Sequence, residues 1–393
     1  MADAPFVIAG GGIAGPAAAI ALARAGIESV VYESSPTFRD DGGAFFNLAP
    51  NGVSVLRALG IDGVLDGLGF RNDRLVFQNE RGHVLAETAV GGVTLMRGAM
   101  SRALRAAAQA QGVRFVCGRA VEAVEESDRG VVVRFADGTS TAATAVVGAD
   151  GIHSRVRASL LPKGPRPTYT GIVNLGGVVQ TDLPSTGEAM HMIFGRRAFF
   201  GYAVRPDGET YWFSNYAQRS EPARGAVFEM DADAMRERLL DLHRDDPPEV
   251  ARILEALEGP IGAYPIYDLP PLALWRRGAV CLIGDAAHAI GPHVGQGVSL
   301  ALEDAYVVGK CVRDRRDPVA AFAAFEALRR GRVTPVVRQS RRTGRQKAPS
   351  GWLGRQMRDL MLPMFLRMAA TGAQELYRWN PPPWDQPMGE VTG

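Results

Sequence analysis

The stretch PFVIAGGGIAGPAAAIALARAGIESVVYE, residues 5–33, decides the fold. It begins with a short apolar run, Phe6–Ala9, that reads as a buried strand and leads into three glycines with G-x-G-x-x-G spacing. The first glycine permits a tight turn, the second lets the backbone approach a pyrophosphate, and the third lets the following helix lie against the strand. The N-terminus of that helix adds free N–H groups that favour phosphate binding. This unit predicts dinucleotide binding through Gly10, Gly12, Ile13, Ala14 and Gly15.

A second predicted strand, Ser29–Tyr32, ends at Glu33, which lies 21 residues after Gly12. An acidic side chain at this point accepts hydrogen bonds from both hydroxyls of an adenosine ribose, which favours the unphosphorylated ribose of FAD or NAD. A dehydrogenase that uses NAD normally continues directly into the next strand and helix. Here the glycine-rich segment RDDGGAFFNLAPN, residues 39–51, interrupts the pattern without a regular period.

Two later strands end in motifs that suit cofactor binding. Residues 145–149 read as a buried strand that ends in Asp150-Gly151, and residues 279–283 run into GDAAHAIGPHVGQGVSLALEDA, residues 284–305. Asp285 lies at a strand end, where a carboxylate can bind sugar-alcohol hydroxyls. Gly295, Gln296 and Gly297 open a predicted helix, whose positive end suits an anion such as a reduced isoalloxazine ring.

These motifs, in this order, resemble the class A flavin-dependent monooxygenases of the para-hydroxybenzoate hydroxylase type. The resemblance implies an α/β fold in which a glutathione-reductase-type, Rossmann-like FAD domain is interleaved with an antiparallel-sheet substrate domain, followed by C-terminal helices. The expected FAD domain is discontinuous, and the expected segments are 1–70, 92–168 and 272–328 for FAD, 71–91 and 169–271 for substrate, and 329–393 for a helical tail.

The resemblance also implies roles for individual residues. Glu33 is expected at the adenosine ribose, Arg97 at FAD, and Asp285 at the ribityl chain. Asp150-Gly151 would support the pyrophosphate and also serve NADH or NADPH, whereas Ser299 stands where the family usually has Asn. The residues expected beside the flavin ring are Pro292, Gly295, Gln296 and Gly297.

Residues 167–271 alternate between apolar and polar positions, which predicts antiparallel strands. Pro206-Asp207-Gly208 supplies a turn, so that Phe200 and Tyr202 can share one face, with Trp212 and Ser214 or their neighbours opposite them. Such a face over a flavin would form an apolar pocket with a few polar groups, although alternating aromatic residues are also typical of ordinary core. The expected substrate contacts are His191, Phe200, Tyr202, Trp212, Ser214 and His293.

The same resemblance implies a chemistry. NADH or NADPH would reduce FAD, and O2 would form a C4a-hydroperoxyflavin that transfers one oxygen atom to a phenolic, indolic or polyketide-like aromatic molecule. His293 or Tyr202 could accept the substrate proton, and His288 is expected to be structural. The alternatives are an FAD oxidoreductase without oxygen transfer, an epoxidase or Baeyer-Villiger enzyme, and a flavin-binding protein without catalysis.

Composition excludes other classes. The 393 residues are 46% hydrophobic and carry a net charge of +2, which predicts a globular chain with no preference for nucleic acid. Three distant cysteines and six histidines without ligand spacing predict no disulfide framework, no metal site and a reducing, cytoplasmic location. The uncharged run 5–23 is rich in glycine, so we expect no membrane span.

The segment 329–347 contains eight basic residues and no acid. This pattern is compatible with a polyanion or membrane surface, but a solvated helix face or a domain seam is the favoured interpretation. After Pro349, apolar residues at helical spacing predict a tail that packs on the body or on a second subunit, so a homodimer is one option.

Overall fold

The computed structural model describes residues 4–38, 40, 44–127, 130–222, 231–259, 261–292, 295–346, 359, 377 and 379–389. Its strands are β1 (Phe6–Ala9), β2 (Ser29–Tyr32), β3 (Phe45–Leu48), β4 (Gly69–Arg71), β5 (Arg74–Asn79), β6 (Val84–Ala89), β7 (Val93–Met96), β8 (Arg114–Val116), β9 (Val121–Ser127), β10 (Gly130–Phe135), β11 (Ser140–Ala143), β12 (Val146–Gly148), β13 (Thr168–Gln180), β14 (Ala189–Phe194), β15 (Ala198–Val204), β16 (Glu209–Ala217), β17 (Gly262–Asp268), β18 (Arg276–Arg277) and β19 (Val280–Leu282).

The helices of the same ranges are α1 (Ala14–Arg24), α2 (Pro50–Leu59), α3 (Arg97–Ala110), α4 (Arg155–Leu160), α5 (Ala232–His243), α6 (Pro248–Glu255), α7 (Asp285–His288), α8 (Gly297–Arg315) and α9 (Pro318–Gln346). A short 3-10 helix covers Asp62–Leu65. Within the described ranges, none of these helices is both long and apolar enough to cross a lipid bilayer.

A six-stranded sheet in the order β18-β19-β12-β1-β2-β8 forms the centre of the cofactor half. β1 pairs in parallel with both β2 and β12, and β12 pairs in parallel with β19. The four residues of β1 are all buried because helices cover the sheet, as expected for parallel strands. α1 packs closely on α8, since a Cβ on Gly309 would lie only 2.5 Å from that of Ala21.

A seven-stranded sheet in the order β17-β13-β16-β15-β14-β5-β6 forms the other half. Successive side chains on each strand point to opposite faces. The helix face, which packs on α5 and α6, carries Val173, Leu175, Ile193, Phe200, Tyr202, Trp212, Ser214 and Tyr216. The inner face carries the alternate positions Asn174, Gly176, Met192, Phe199, Gly201, Tyr211, Phe213, Asn215 and Tyr264.

A small sheet in the order β3-β7-β4 lies between the two halves. The Phe45 ring of β3 contacts those of Tyr211 and Phe213 on the inner face, with centroids 5.4 Å and 6.0 Å apart. Phe70 of β4 also contacts Tyr211, at 4.9 Å. The inner face is therefore turned toward the cofactor half. A further antiparallel sheet, β11-β10-β9, flanks the cofactor half.

The sequence located the main strands within one or two residues. β1 and β2 match their predicted bounds, and the predicted strands 145–149 and 279–283 appear as β12 and β19. The predicted hairpin is also confirmed, because β15 and β16 pair antiparallel with Phe200 opposite Ser214 and Tyr202 opposite Trp212.

The three cysteines are free thiols and form no disulfide bond. Cys281 and Cys311 are buried, and Cys117 is half-buried. Burial raises the pKa of Cys281 well above its ordinary value and that of Cys311 to about 12. Among the described residues, no cluster of three or more His, Cys, Asp or Glu side chains could hold a metal ion.

Candidate active site

The glycine turn after β1 has the shape that a pyrophosphate needs. A Cβ on Gly15 would overlap the carbonyl oxygen of Gly10, and one on Gly10, whose φ is +105°, would overlap that of Ala149. No atom lies within 4 Å of a Cβ placed on Gly12. Gly10 and Gly15 are thus fixed by close backbone packing, whereas Gly12 borders open space beside the N-terminus of α1.

Glu33 at the end of β2 is held at the rim of this turn. Its Oε2 accepts a hydrogen bond from the Gly11 N–H at 2.8 Å, and its Oε1 accepts one from the Ser35 N–H at 2.9 Å. The carboxylate is therefore oriented before any ligand binds, and its remaining lone pairs can accept ribose hydroxyls.

Asp150, after β12, lies against the other side of the turn. Its Oδ2 accepts the Arg155 and Val156 N–H groups at 2.7 Å and 3.1 Å, which caps α4. Its Oδ1 is buried and has no hydrogen-bond partner among the described residues, and burial raises the pKa of this carboxyl. An unpartnered acceptor beside the glycine turn fits a cofactor-binding role. The adjacent Gly151 has a φ of +76°.

Gly284-Asp285 brings β19 close to two helices. Gly284 has a φ of +56°, and a Cβ there would lie 3.1 Å from that of Ala301 and 3.3 Å from that of Ala14. Asp285, the first residue of α7, is half-buried. No hydrogen bond or ion pair engages its carboxylate within the part of the chain that the structure describes, so the carboxylate is available to a ligand.

The N-terminus of α8 opens onto the same region. Gln296 precedes the helix and is buried, and its Oε1 accepts a hydrogen bond from Asn51 Nδ2 at 3.0 Å. A Cβ on Gly297 would meet nothing within 4 Å. The Ser299 hydroxyl is buried without a described partner, beside Gly52 of α2. Pro292 is exposed, and His293 lies outside the described residues.

A buried ionic cluster lies behind this helix end. Arg329 of α9 contacts Glu303 Oε2 at 2.7 Å and Asp304 Oδ1 at 2.6 Å, and all three side chains are at most 2% exposed. Burial alone would raise the pKa of Asp304, but His288 and Arg329 outweigh that effect and lower it. The two acids raise the pKa of Arg329 against the effect of its burial.

The cluster also holds the ligand-facing backbone. Asp304 Oδ2 accepts the Gly284 N–H at 2.8 Å and lies 2.6 Å from His288 Nε2, which agrees with the structural role predicted for His288. Glu303 Oε1 accepts a hydrogen bond from Asn51 Nδ2 at 2.6 Å. One set of charges therefore fixes the Gly284-Asp285 turn and the start of α2. The sequence did not reveal this role of Arg329.

Five of the six predicted substrate contacts lie on the helix face, and the sixth, His293, lies outside the described residues. Phe200, Trp212 and Ser214 pack toward α5, where Ser214 Oγ lies 2.8 Å from His243 Nε2. His191 stacks on Tyr202 on the same helix face, with ring centroids 5.1 Å apart. Because a shift of one residue exchanges the two faces of a strand, the neighbouring residues point toward the cofactor half instead.

The inner face supplies residues that the sequence reasoning missed. Tyr264, Asn174, Asn215 and Phe199 lie directly opposite one another across four strands. In the next row the Phe213 ring occupies the space where a Cβ on Gly201 would lie. A glycine inside a strand often marks such a close approach, and Gly176 and Gly201 were the signals that could have identified this face.

β3 sets the distance between the inner face and α8. Phe45 contacts Phe213, and six residues later Asn51 bonds to Gln296. Six extended residues span roughly 20 Å at most, so the space between the inner face and the N-terminus of α8 is no wider than about that distance. Arg97, exposed at the start of α3, lies near Tyr264 at the side of this space and lowers its pKa, although burial raises that pKa overall.

The pattern of the FAD binding domain family matches residues 3–313. The chain is also 30% identical over 369 residues to the aurachin C monooxygenase/isomerase of Stigmatella aurantiaca, an alignment that covers 90% of this chain and 94% of that protein. The chain is a class A flavin-dependent monooxygenase. This monooxygenase is 32% identical over 392 residues to a 3-amino-4-hydroxybenzoate 2-monooxygenase of Streptomyces platensis, covering 92% of this chain and 93% of the relative.

A solved structure extends the likeness to three dimensions. The Klebsiella pneumoniae HpxO structure with FAD and uric acid superposes with a TM-score of 0.84 at 27% identity, covering 95% of this chain and 96% of that one. The monooxygenase therefore has a mixed α/β fold with an FAD-binding domain, and FAD is its cofactor. NADH or NADPH is the reductant typical of this family.

Proposed function

We propose that this monooxygenase inserts one atom of O2 into a small phenolic, indolic or polyketide-like aromatic molecule held between the inner face and the N-terminus of α8. The main observation behind the proposal is that the inner face, which carries aromatic side chains, is turned toward the half of the molecule that contains the N-terminus of α8 and the unpartnered Asp285 carboxylate. The relatives named above, which act on ring compounds, support an aromatic substrate.

The proposed FAD contacts follow the geometry of the cofactor half. Gly12 faces the pyrophosphate, Glu33 accepts the adenosine ribose hydroxyls, and Asp285 accepts those of the ribityl chain. Asp150-Gly151 and Arg97 complete the site, and the ring lies beside Pro292 and the segment 295–297, where the positive end of α8 favours negative charge. When bound, FAD supplies the electron transfer and oxygen activation that side chains cannot perform.

The residues of this chain then have two tasks. Phe199, Tyr211 and Phe213 exclude water from the reacting ring, because water entry diverts oxygen to hydrogen peroxide. The second task is to accept the substrate proton. His293 remains our proposal for that role, on its position in the Pro292–Gly297 segment alone.

Replacing His293 with alanine is expected to raise the fraction of NADH or NADPH consumption that ends in hydrogen peroxide. The measurement is the ratio of hydroxylated product to reductant consumed. Replacing His288, which bonds inside the protein, would not be an equivalent control because it disturbs Asp304. The better control is His83→Ala, because His83 lies outside the proposed site. An unchanged product ratio in H293A would remove His293 from the mechanism.

Tyr202→Phe is expected to leave kcat/KM within about twofold of the wild type, since Tyr202 lies on the helix face. Burial raises the pKa of Tyr202 to about 12, so its hydroxyl stays protonated at working pH and contributes no break to the activity profile between pH 6 and 10. Parallel pH profiles of kcat/KM for the two proteins test this. A tenfold loss in the variant would restore Tyr202 as a candidate catalytic residue.

We also propose how the chain is divided into domains. The glutathione-reductase-type FAD domain comprises 1–70, 92–168 and 272–328, the substrate domain 71–91 and 169–271, and the tail 329–393. The strands of the seven-stranded sheet, which fall within 74–89 and 168–268, support this division. We further propose a cytoplasmic enzyme that consumes O2 and forms a homodimer. Apart from 359 and 377, the predicted tail helix at 352–378 lies outside the described residues, and the tail residues Trp379, Trp384 and Met388 pack on the body.

The function is tested by oxygen labelling. The purified, FAD-containing protein is incubated with NADH or NADPH and a panel of phenols, indoles and polyketides under 18O2, and products are analysed by mass spectrometry. One labelled oxygen atom in a ring product is the expected result. Turnover with an artificial acceptor under anaerobic conditions, without labelled product in air, would instead identify a dehydrogenase or reductase.

A further inference from the structure

An asparagine pair occupies the middle of the inner face. Asn174 Nδ2 donates a hydrogen bond to Asn215 Oδ1 at 2.8 Å across β13 and β16. Each side-chain amide offers two N–H donors and a carbonyl oxygen with two lone pairs. Across the described ranges the pair makes no other side-chain hydrogen bond, so an amide oxygen and several N–H groups remain unused.

The sheet residues that surround the pair are uncharged and mostly apolar. Tyr264 and Phe199 flank it within its own row, and Phe213 and Gly176 lie in the next. None of the inner-face positions named for these two rows carries a charge. Both asparagines are only half-buried, so their unused groups border the space in front of the sheet. A ligand that displaces water from these groups must replace the lost hydrogen bonds, since an unpaired buried amide is costly.

We propose that Asn174 and Asn215 bind the substrate, and that this substrate is an electrically neutral aromatic ring carrying a lactam, with an N–H donor next to a carbonyl acceptor. The inference rests on the proposed function and names the substrate class of the same site. An amide edge presents a donor beside an acceptor and is complementary to a lactam. A carboxylate would instead require a cation. The nearby cation is Arg97, which lies close to Tyr264 at the side of the inner face and which we assign to FAD.

The test uses three small probes with the FAD-loaded protein. 2-Quinolone, N-methyl-2-quinolone and quinoline-2-carboxylate are titrated separately while the flavin absorbance is recorded. We expect 2-quinolone to bind about tenfold more tightly than its N-methyl analogue, which lacks the donor and leaves one amide group unpaired. We expect the carboxylate to bind more weakly than 2-quinolone.

Asn174→Leu and Asn215→Leu are each expected to raise the Kd of 2-quinolone about tenfold and to abolish its advantage over the N-methyl analogue. Tyr216→Phe is the matched control, because Tyr216 follows Asn215 on β16 but lies on the helix face. FAD content should stay at the wild-type level in all three variants, and Tyr216→Phe should also keep the wild-type affinity for 2-quinolone, which separates recognition from a structural defect.

Unchanged 2-quinolone affinity in both leucine variants would overturn the inference, as would a carboxylate that binds more tightly than the lactam or a flavin spectrum insensitive to all three probes. A tighter carboxylate would direct attention to Arg97, tested by Arg97→Gln. A protein that retains no FAD, or that never consumes reductant with any aromatic compound, would contradict the proposed function itself rather than the lactam assignment.

Discussion

An Arg329→Met variant is expected to lose about 3–5 kcal/mol of folding free energy and most of its affinity for FAD. The substitution leaves Glu303 and Asp304 buried at 0% exposure without their shared cation. Those acids hold the Gly284 N–H and the Asn51 amide, so their displacement would move the backbone on which Asp285 is mounted. Urea denaturation and titration of the apoprotein with FAD measure the two effects.

Arg338→Met is the control for this experiment, because Arg338 lies on the same helix but is exposed. Arg329→Lys keeps the charge but cannot reproduce the forked contact with both acids, so it should recover only part of the stability. Wild-type FAD affinity in Arg329→Met would contradict the role assigned to the cluster in holding the cofactor-facing backbone.

Alanine substitutions at Gly15 and Gly12 are expected to affect different properties, the stability of the apoprotein and its affinity for FAD. Gly15→Ala puts a methyl group into the Gly10 carbonyl, which is backbone and cannot rotate away, so the apoprotein itself should lose several degrees of Tm. Gly12→Ala meets no protein atom within 4 Å, so the apoprotein should keep its Tm while its FAD affinity falls at least tenfold.

Differential scanning fluorimetry of both apoproteins and FAD titration by fluorescence quenching distinguish the two outcomes. Gly63→Ala is a suitable control for a glycine without close backbone contacts, since it lies in the short 3-10 helix away from the turn. Normal FAD binding by Gly12→Ala would show that the pyrophosphate does not approach the backbone at this position.

The cofactor half could be predicted because its signals are local. A buried strand, a glycine turn and a helix follow one another within residues 5–33, and Gly10 and Gly15 are required by contacts with neighbouring backbone. The Gly284-Asp285 motif is similarly continuous with β19 and α8. Such features depend on spacing along the chain rather than on distant packing.

The substrate wall could not be predicted from alternation alone. On β15 both sets of alternate positions are apolar or aromatic, and on β16 both sets contain aromatic residues, so Phe199 and Phe200 were equally plausible pocket residues. Only the packing of α5 and α6 on one side of the sheet decides between them. The sequence predicted the hairpin between these strands but assigned the substrate contacts to residues that lie on the helix face.

The basic segment illustrates a second limit of sequence reasoning. A run of arginines resembles a solvated surface, yet Arg329 is buried against two acids, Arg332 contacts Glu303 and Arg341 contacts Asp268. Of the two favoured interpretations, a solvated helix face and a domain seam, the second agrees with this described part, where α9 packs on α8. The acids lie 25 or more residues away, so no local pattern links them to their arginines.

Because Cys281 and Cys311 are buried, we expect the enzyme to resist oxidation by the hydrogen peroxide that it releases. Hydrogen peroxide attacks thiolates far faster than thiols, and Cys281 and Cys311 remain protonated at any physiological pH. Cys281 lies on β19, three residues before Gly284, where a sulfenic acid would distort the strand. The enzyme can therefore release hydrogen peroxide over many turnovers before Cys281 and Cys311 are oxidised.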